Sequence, residues 1–117
     1  MSPKRGDRAA PPAVVGEYEI RLATSESCVG WEQLAAQAPT NLRRAFEAIR
    51  VDPRAKTNPD RQHRLKGSLS SATWKGIVLE RWQYEVTGSG RIWYLIDDDQ
   101  RTVWIVYAGT GHPKATD

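Results

Sequence analysis

The sequence contains a single cysteine, Cys28, among its 117 residues. One cysteine excludes an internal disulfide, and it also excludes a zinc site built from cysteines alone. Cys28 falls on the apolar face of a predicted helix, which favours a position in the core over a role as nucleophile. A chain without disulfides suits a reducing compartment, so we expect a cytoplasmic protein, and we expect no cofactor.

Long apolar runs are missing as well. No segment approaches the roughly 20 apolar residues that span a bilayer, so we expect no association with a membrane. Residues 1–16 include Lys4, Arg5 and Arg8 but lack the apolar stretch of a signal peptide. We therefore predict a flexible basic tail over residues 1–16 and a single domain over residues 17–117.

The excess of positive charge is small and unevenly distributed. The chain has 17 Lys and Arg residues against 14 Asp and Glu residues, which gives a net charge of +3. Five of the basic residues lie between Arg54 and Lys66, where Asp60 is the only acid. This concentration indicates contact with a polyanion, although a solvated loop that only aids solubility would have the same composition.

The order of the predicted elements indicates an α+β domain. These elements are a strand over residues 17–23, two helices between Thr24 and Asp52 that are separated by Pro39–Thr40, and strands over residues 76–86, 91–96 and 102–108. We predict an N-terminal strand, a helical hairpin and a three-stranded antiparallel meander, which form one mainly antiparallel sheet with the helices packed on it. Residues 51–75 show no periodic pattern, and we interpret them as a functional loop.

Two histidines and one arginine are candidate catalytic residues. His63 and His112 both lie in cation-containing loops, where an imidazole can exchange protons near neutral pH and the cations attract phosphate. Arg91 begins a strand directly after a glycine turn, so its guanidinium can reach the rim of the sheet and hold a phosphate. The alternative for each histidine is an exposed or structural imidazole, and the alternative for Arg91 is an ion pair with Glu85.

Aromatic residues are concentrated in the second half of the chain, interleaved with Arg81 and Arg91. Such an arrangement is typical of surfaces that stack nucleic-acid bases, but most of these rings must fill the core. We assign a surface role to Tyr84 and, as a second choice, to Trp74. The three successive acids Asp97–Asp99 are interpreted as a turn, because neighbouring side chains diverge, and we expect no metal site.

Several segments carry motifs in a recognisable order. Segment 61–67 is basic and ends in Leu-Lys-Gly, segment 82–86 contains Tyr-Glu-Val, and segment 90–96 contains Arg-Ile-Trp-Tyr. Segment 103–114 is an apolar strand followed by a loop with Gly-His. Together these segments resemble the RelE/ParE superfamily of type II toxins over about residues 17–115, with the same order of strands and helices.

The resemblance implies a toxin of the RelE-like branch, which cuts messenger RNA without a metal, commonly on the ribosome, and which a cognate antitoxin protein neutralises. It implies that Arg91 contacts the scissile phosphate, and the further catalytic residues it implies are His63, Lys66 and His112. The side chains expected to bind RNA are Arg61, Arg64, Arg81, Tyr84 and Lys114. The chain departs from the best-known pattern because it has no basic residue at Thr110 or Gly111 and no terminal catalytic tyrosine, so the resemblance does not identify the general acid.

These residues together predict transesterification of RNA. One imidazole would take the proton of a ribose 2′-hydroxyl, Arg91 and Lys66 would stabilise the developing charge, and the other imidazole would protonate the leaving oxygen. The prediction requires His63, His112 and Arg91 to gather around one phosphodiester. Two alternatives remain open: a ParE-like inhibitor of DNA gyrase that is not an enzyme, and an RNA-binding module that does not cut.

Overall fold

The structure is a computed structural model, and it describes residues 3–9 and 11–113. In chain order the elements are β1 (Glu19–Leu22), α1 (Ser25–Gln37), α2 (Pro39–Val51), β2 (Gln62–Arg64), a short 3₁₀ helix (Gly67–Ser70), β3 (Ser71–Trp74), β4 (Ile77–Glu85), β5 (Arg91–Asp97) and β6 (Thr102–Gly109). The described residues therefore form an α+β fold, which confirms the predicted class.

All six described strands belong to one mixed and mostly antiparallel sheet, in the order β1-β6-β5-β4-β2 with β3 also beside β4. β1 is parallel to β6, and the other pairs are antiparallel. The sheet is larger than we predicted, because β2 and β3 arise within residues 51–75, which we had interpreted as a loop. Edge strands of three and four residues are too short to show an alternating pattern, and their pairing with β4 holds them in place.

Local sequence explains where the two helices begin. Thr24 caps α1: its Oγ1 accepts a hydrogen bond from the Ser27 N–H at 3.0 Å, and the Ser27 Oγ accepts one from the Thr24 N–H at 3.1 Å. Pro39 is the first residue of α2, where the missing N–H of proline costs nothing. Neither of these two helices, at 13 residues each, is long and apolar enough to cross a membrane.

The helices cover one face of the sheet, and alternate residues of the central strands form the core there. Ile92, Tyr94 and Ile96 of β5 belong to this core, whereas Leu95 between them belongs to a smaller cluster on the opposite face, which we name the open face. We expected Tyr84 at the surface, but it pairs with Ile92, shares its face and is only 4% exposed. Its ring is therefore part of the core and is not available for stacking on a base.

Residues 6–9, which lie within the predicted tail, contact the edge of β1. The Gly6 N–H donates to the Leu22 carbonyl at 2.6 Å, and the Ala9 N–H donates to the Ile20 carbonyl at 2.7 Å. Arg8 forms an ion pair with the carboxylate of Glu19. The two backbone hydrogen bonds satisfy carbonyl groups on the edge of β1 that faces away from β6. This pairing explains why residues 6–9 lie against the domain.

Candidate functional site: a groove on the open face of the sheet

A groove of about 500 Å³ lies on the open face, where β4, β5 and β6 meet the start of α1 and the chain after β6. We name it the open-face groove. The described residues of its lining are one cation, one acid, one imidazole, two aromatic rings and two apolar side chains, which are Arg81, Glu26, His112, Trp93, Tyr107, Val106 and Pro113.

Strand register brings the aromatic residues of the groove together. Gln83 pairs with Trp93, and Trp93 pairs with Tyr107, so the three side chains form a row across β4, β5 and β6. The Trp93 indole N–H donates to Gln83 Oε1 at 2.8 Å, and the Trp93 and Tyr107 rings meet edge to face with centroids 6.4 Å apart. A bulge in the pairing of β5 with β6 gives β6 one extra residue, Val106, which lines the groove beside Tyr107.

Arg81 is the cation of the groove. Its guanidinium lies 5.6 Å from the centre of the Trp93 ring, and it donates to the carbonyl oxygens of Leu69 at 2.9 Å and Ser71 at 3.2 Å. Burial lowers the pKa of Arg81, since partial removal from water disfavours its charged form. Among the described residues no carboxylate pairs with Arg81, so its charge is held in a fixed position and is not neutralised by a partner.

His112 is carried by the chain that follows β6, and two hydrogen bonds fix that chain. The Tyr107 hydroxyl donates to the Gly111 carbonyl at 2.8 Å, and the Ser89 hydroxyl donates to the Thr110 carbonyl at 2.7 Å. Burial raises the pKa of Tyr107, and the negative charge of Glu26 raises it further. The Tyr107 hydroxyl therefore stays protonated and able to hold the loop, while the imidazole of His112 remains exposed at the groove.

Glu26 is the second residue of α1, and it is not among the site residues that we predicted from the sequence. Its exposed side chain lines the open-face groove, and none of the described residues pairs with it. The hydroxyl of Thr24 donates to the Val106 carbonyl at 3.3 Å, which ties the start of α1 to the bulge in β6. Tertiary contacts of α1 with β6 bring Glu26 to the groove, so no local signal in the sequence identifies it.

Arg91, for which the resemblance implies contact with the scissile phosphate, does not line the open-face groove. Its side chain is buried, and its Nη1 donates to the carbonyl oxygens of Thr87, Gly88 and Gly90 at 3.0, 3.3 and 3.0 Å. Its Nη2 lies 3.8 Å from Glu85 Oε1, which is the alternative that the sequence left open. These contacts occupy the guanidinium with the turn between β4 and β5.

His63 does not line the open-face groove with His112. It lies on β2 and pairs with Gln83, so it continues the row formed by Gln83, Trp93 and Tyr107 at the far edge of the sheet. Three strand spacings separate the backbones of His63 and Tyr107, which is about 14 Å. Its Nδ1 is 3.1 Å from the Pro59 carbonyl oxygen. The structure therefore brings Arg81 and His112 together but does not gather the two imidazoles and Arg91 around one phosphodiester.

The other predicted RNA-binding cations lie along the β2 edge. Arg61 donates to the Glu85 carbonyl at 3.0 Å, and Arg64 donates to the Ser70 carbonyl at 3.0 Å. Lys66 is exposed directly before the 3₁₀ helix. Lys114 lies outside the described residues. A second groove of about 550 Å³ lies at this edge, and its lining includes the cations Arg54, Lys56 and Arg64 together with His63.

The acidic turn after β5 is occupied by structural contacts. Asp98 accepts hydrogen bonds from Arg54 Nη2 at 2.8 Å and from the Tyr18 hydroxyl at 2.6 Å. The hydrogen bond from Arg54 is the main reason that the pKa of Asp98 is below its usual value. Within residues 3–9 and 11–113 no cluster of three or more His, Cys, Asp and Glu side chains is arranged to hold a metal ion.

The open-face groove thus combines a positive charge, exchangeable protons and aromatic surface. Arg81 can bind an anionic oxygen, and His112 and Glu26 can each exchange a proton with a bound molecule. Trp93 and Tyr107 supply apolar ring contacts beside them. No family model, curated protein or solved structure matches this chain.

Proposed function

We propose that this protein is the toxin of a type II toxin–antitoxin system and acts as a metal-independent endoribonuclease. Its substrate would be messenger RNA on the ribosome, and a cognate antitoxin protein would bind and inhibit it. The observation that carries the proposal is the open-face groove, in which Arg81 lies over Trp93 and lines the same hollow as His112.

RNA recognition is supported by the charge and shape of the groove. A guanidinium without a carboxylate partner attracts a phosphate, and its planar donors match the geometry of the phosphate oxygens. Tyr107 is half-buried and leaves part of its ring accessible, so it can contact an unpaired base beside that phosphate. The volume of about 500 Å³ lies within the range of about 300–1,000 Å³ that is usual for sites of small ligands.

Cleavage is supported by the exposed imidazole of His112 beside this phosphate position. Protonated His112 would give a proton to the 5′ oxygen that leaves when the chain is cut. Arg81 would stabilise the charge that develops on the phosphate oxygens. This is the role that we expected for Arg91 from the sequence. The α+β fold with its mostly antiparallel sheet is compatible with the resemblance to RelE-like toxins.

A second candidate is an RNA-binding module that leaves RNA intact. One observation favours it: His63 lines the groove at the β2 edge and His112 lines the open-face groove, so the two imidazoles expected to act together do not share a groove. In this case the open-face groove would bind a single strand through Arg81 and Tyr107 without cutting it.

The two functions can be separated by adding the purified chain to a reconstituted translation reaction and mapping the ends of the messenger RNA by primer extension. We expect the wild-type chain to cut, whereas Arg81→Met and His112→Ala should each reduce cleavage by about 100-fold. Arg64→Met and His63→Ala are the matched controls, because they remove an arginine and a histidine outside the open-face groove. Equal loss in the controls would contradict the assignment of the groove, and intact RNA with the wild-type chain would refute the nuclease.

A further inference from the structure

We propose that Glu26 is the general base of the RNA-cleaving reaction and works together with His112 in the open-face groove. This inference rests on the endoribonuclease function proposed above. It supplies the second proton-transfer group that cleavage by transesterification needs.

The need for a second group follows from the chemistry. One group must accept the proton of the attacking 2′-hydroxyl while another donates a proton to the leaving oxygen. His63 does not line the groove that His112 lines, and its backbone lies three strand spacings, about 14 Å, from that of Tyr107. Glu26 lines the same groove as His112, and among residues 3–9 and 11–113 it is the only carboxylate in that lining.

The carboxylate of Glu26 is available for this role. Glu85 and Asp98, by contrast, are engaged: Glu85 lies 3.8 Å from Arg91, and Asp98 binds Arg54 at 2.8 Å. In the described part of the chain Glu26 has neither a hydrogen-bond donor nor a cation as a partner. A base must keep its lone pairs free until the substrate arrives, and Glu26 meets this condition.

The surroundings of Glu26 are polar and charged. The groups that share the groove with it are Arg81 from β4, Tyr107 from β6 and His112 from the chain after β6. The charge of Glu26 contributes to the raised pKa of Tyr107, so the carboxylate and the phenol are close enough to interact electrostatically. A phosphate bound by Arg81 would therefore have a carboxylate and an imidazole in the same hollow.

The position of Glu26 is fixed by the fold. It follows Thr24, whose hydroxyl caps α1 and also donates to the Val106 carbonyl at 3.3 Å. Val106 is the extra residue of the β6 bulge, and the next residue, Tyr107, holds the loop that carries His112. The base and the acid are thus anchored to two neighbouring residues of β6.

The proposed step is balanced in protons and bonds. The Glu26 carboxylate takes the proton of the ribose 2′-hydroxyl, and the 2′ oxygen forms a bond to phosphorus. The bond between phosphorus and the 5′ oxygen breaks, and the imidazolium of His112 protonates that oxygen. The products are a 2′,3′-cyclic phosphate and a 5′-hydroxyl end, and exchange with water restores both side chains.

The test compares Glu26→Gln with wild type in the reconstituted translation reaction. We expect Glu26→Gln to slow cleavage by at least about 100-fold, and Glu26→Asp to retain more activity because it keeps a carboxylate. Glu32→Gln is the matched control, an exposed glutamate on the same helix outside the open-face groove. Binding of a 2′-O-methyl RNA, which lacks the nucleophile, should be unchanged by Glu26→Gln.

Three results would overturn the inference. If wild type and Glu26→Gln cut at the same rate, Glu26 is not the base. If Glu26→Gln changes which nucleobase precedes the cut while the rate is unchanged, the carboxylate recognises the nucleobase and does not accept a proton. If the wild-type chain leaves RNA intact, the proposed nuclease function fails and this assignment fails with it, which is distinct from the first two results.

Discussion

Replacing Gly30 by alanine places a methyl group where α1 meets the backbone of β6. A Cβ atom at this position would overlap the carbonyl group of Ala108, and the obstructing atoms are backbone that no rotamer change can move. Real Cβ atoms stay at least 3.0 Å from such atoms, so α1 would have to withdraw from β6 by more than an ångström. Overpacking of this kind costs about 1–3 kcal/mol, and the withdrawal also loosens the packing of Leu34.

Whether Gly30→Ala stabilises or destabilises the protein decides between helix propensity and close packing as the dominant effect. Helix propensity alone predicts that Gly30→Ala stabilises the protein by about 1 kcal/mol, because alanine is favoured over glycine inside a helix. With the clash of about 1–3 kcal/mol included we expect a net loss of up to about 2 kcal/mol, which lowers the melting temperature by up to about 8 °C. Thermal and urea unfolding followed by circular dichroism measure this change. Ala36→Gly, at an exposed position of the same helix, should lose only about 1 kcal/mol. A stabilised Gly30→Ala variant would refute the close packing of α1 on β6.

Three further predictions concern the loop, the acidic turn and the hairpin. Tyr107→Phe removes the hydrogen bond to Gly111, so we expect about 1 kcal/mol less stability by urea unfolding and slower cleavage without weaker RNA binding. Arg54 lowers the pKa of Asp98 in the folded state, so the ion pair stabilises the fold. Its contribution is complete above the pKa of about 3.9 that an aspartate has in the unfolded chain, and it is lost as the pH falls through the lower pKa of Asp98 in the folded protein. Arg54→Met should therefore destabilise the protein more at about pH 7 than at about pH 2.5, and an equal loss at both would contradict the ion pair. Arg91→Ala leaves the turn carbonyls without a donor, so it should cost about 2–3 kcal/mol in unfolding experiments, and its cleavage activity should follow the folded fraction.

Much of the fold could be predicted because its long elements have strong periodic patterns. The alternation around Ile20 and the continuous apolar run of β5 identify strands, and the apolar spacing around Leu42 identifies a helix. β2 and β3 could not be found in this way, because three or four residues at a sheet edge carry no repeat. From the sequence, Gly30 predicts only a loss of helix stability. The close contact with Ala108 that explains a glycine here depends on tertiary packing.

The site was harder to predict than the fold. Arg81 and His112 were identified from their residue types, and the structure brings them to one groove. Arg91 has the sequence context of a phosphate ligand, but its position after a tight turn lets it bond with the carbonyls of that turn. Tyr84 alternates with polar neighbours along its strand, so its ring must lie on one face of the sheet. Whether that face is buried depends on which face the helices cover, and the strand sequence does not show this. Glu26 comes from an unrelated part of the chain, and only the folded protein brings it beside β6.

The central claim is that RNA binds in the open-face groove, and a titration observed by NMR tests it most directly. A single-stranded 2′-O-methyl RNA is added to the isotope-labelled protein, and the shifts of backbone amides and of the five tryptophan indole N–H groups are followed. We predict that the largest changes occur at Arg81, at the Trp93 indole, at Tyr107 and at His112. Changes confined to the basic edge around Arg61 and Arg64, with the Trp93 indole unaffected, would contradict the account.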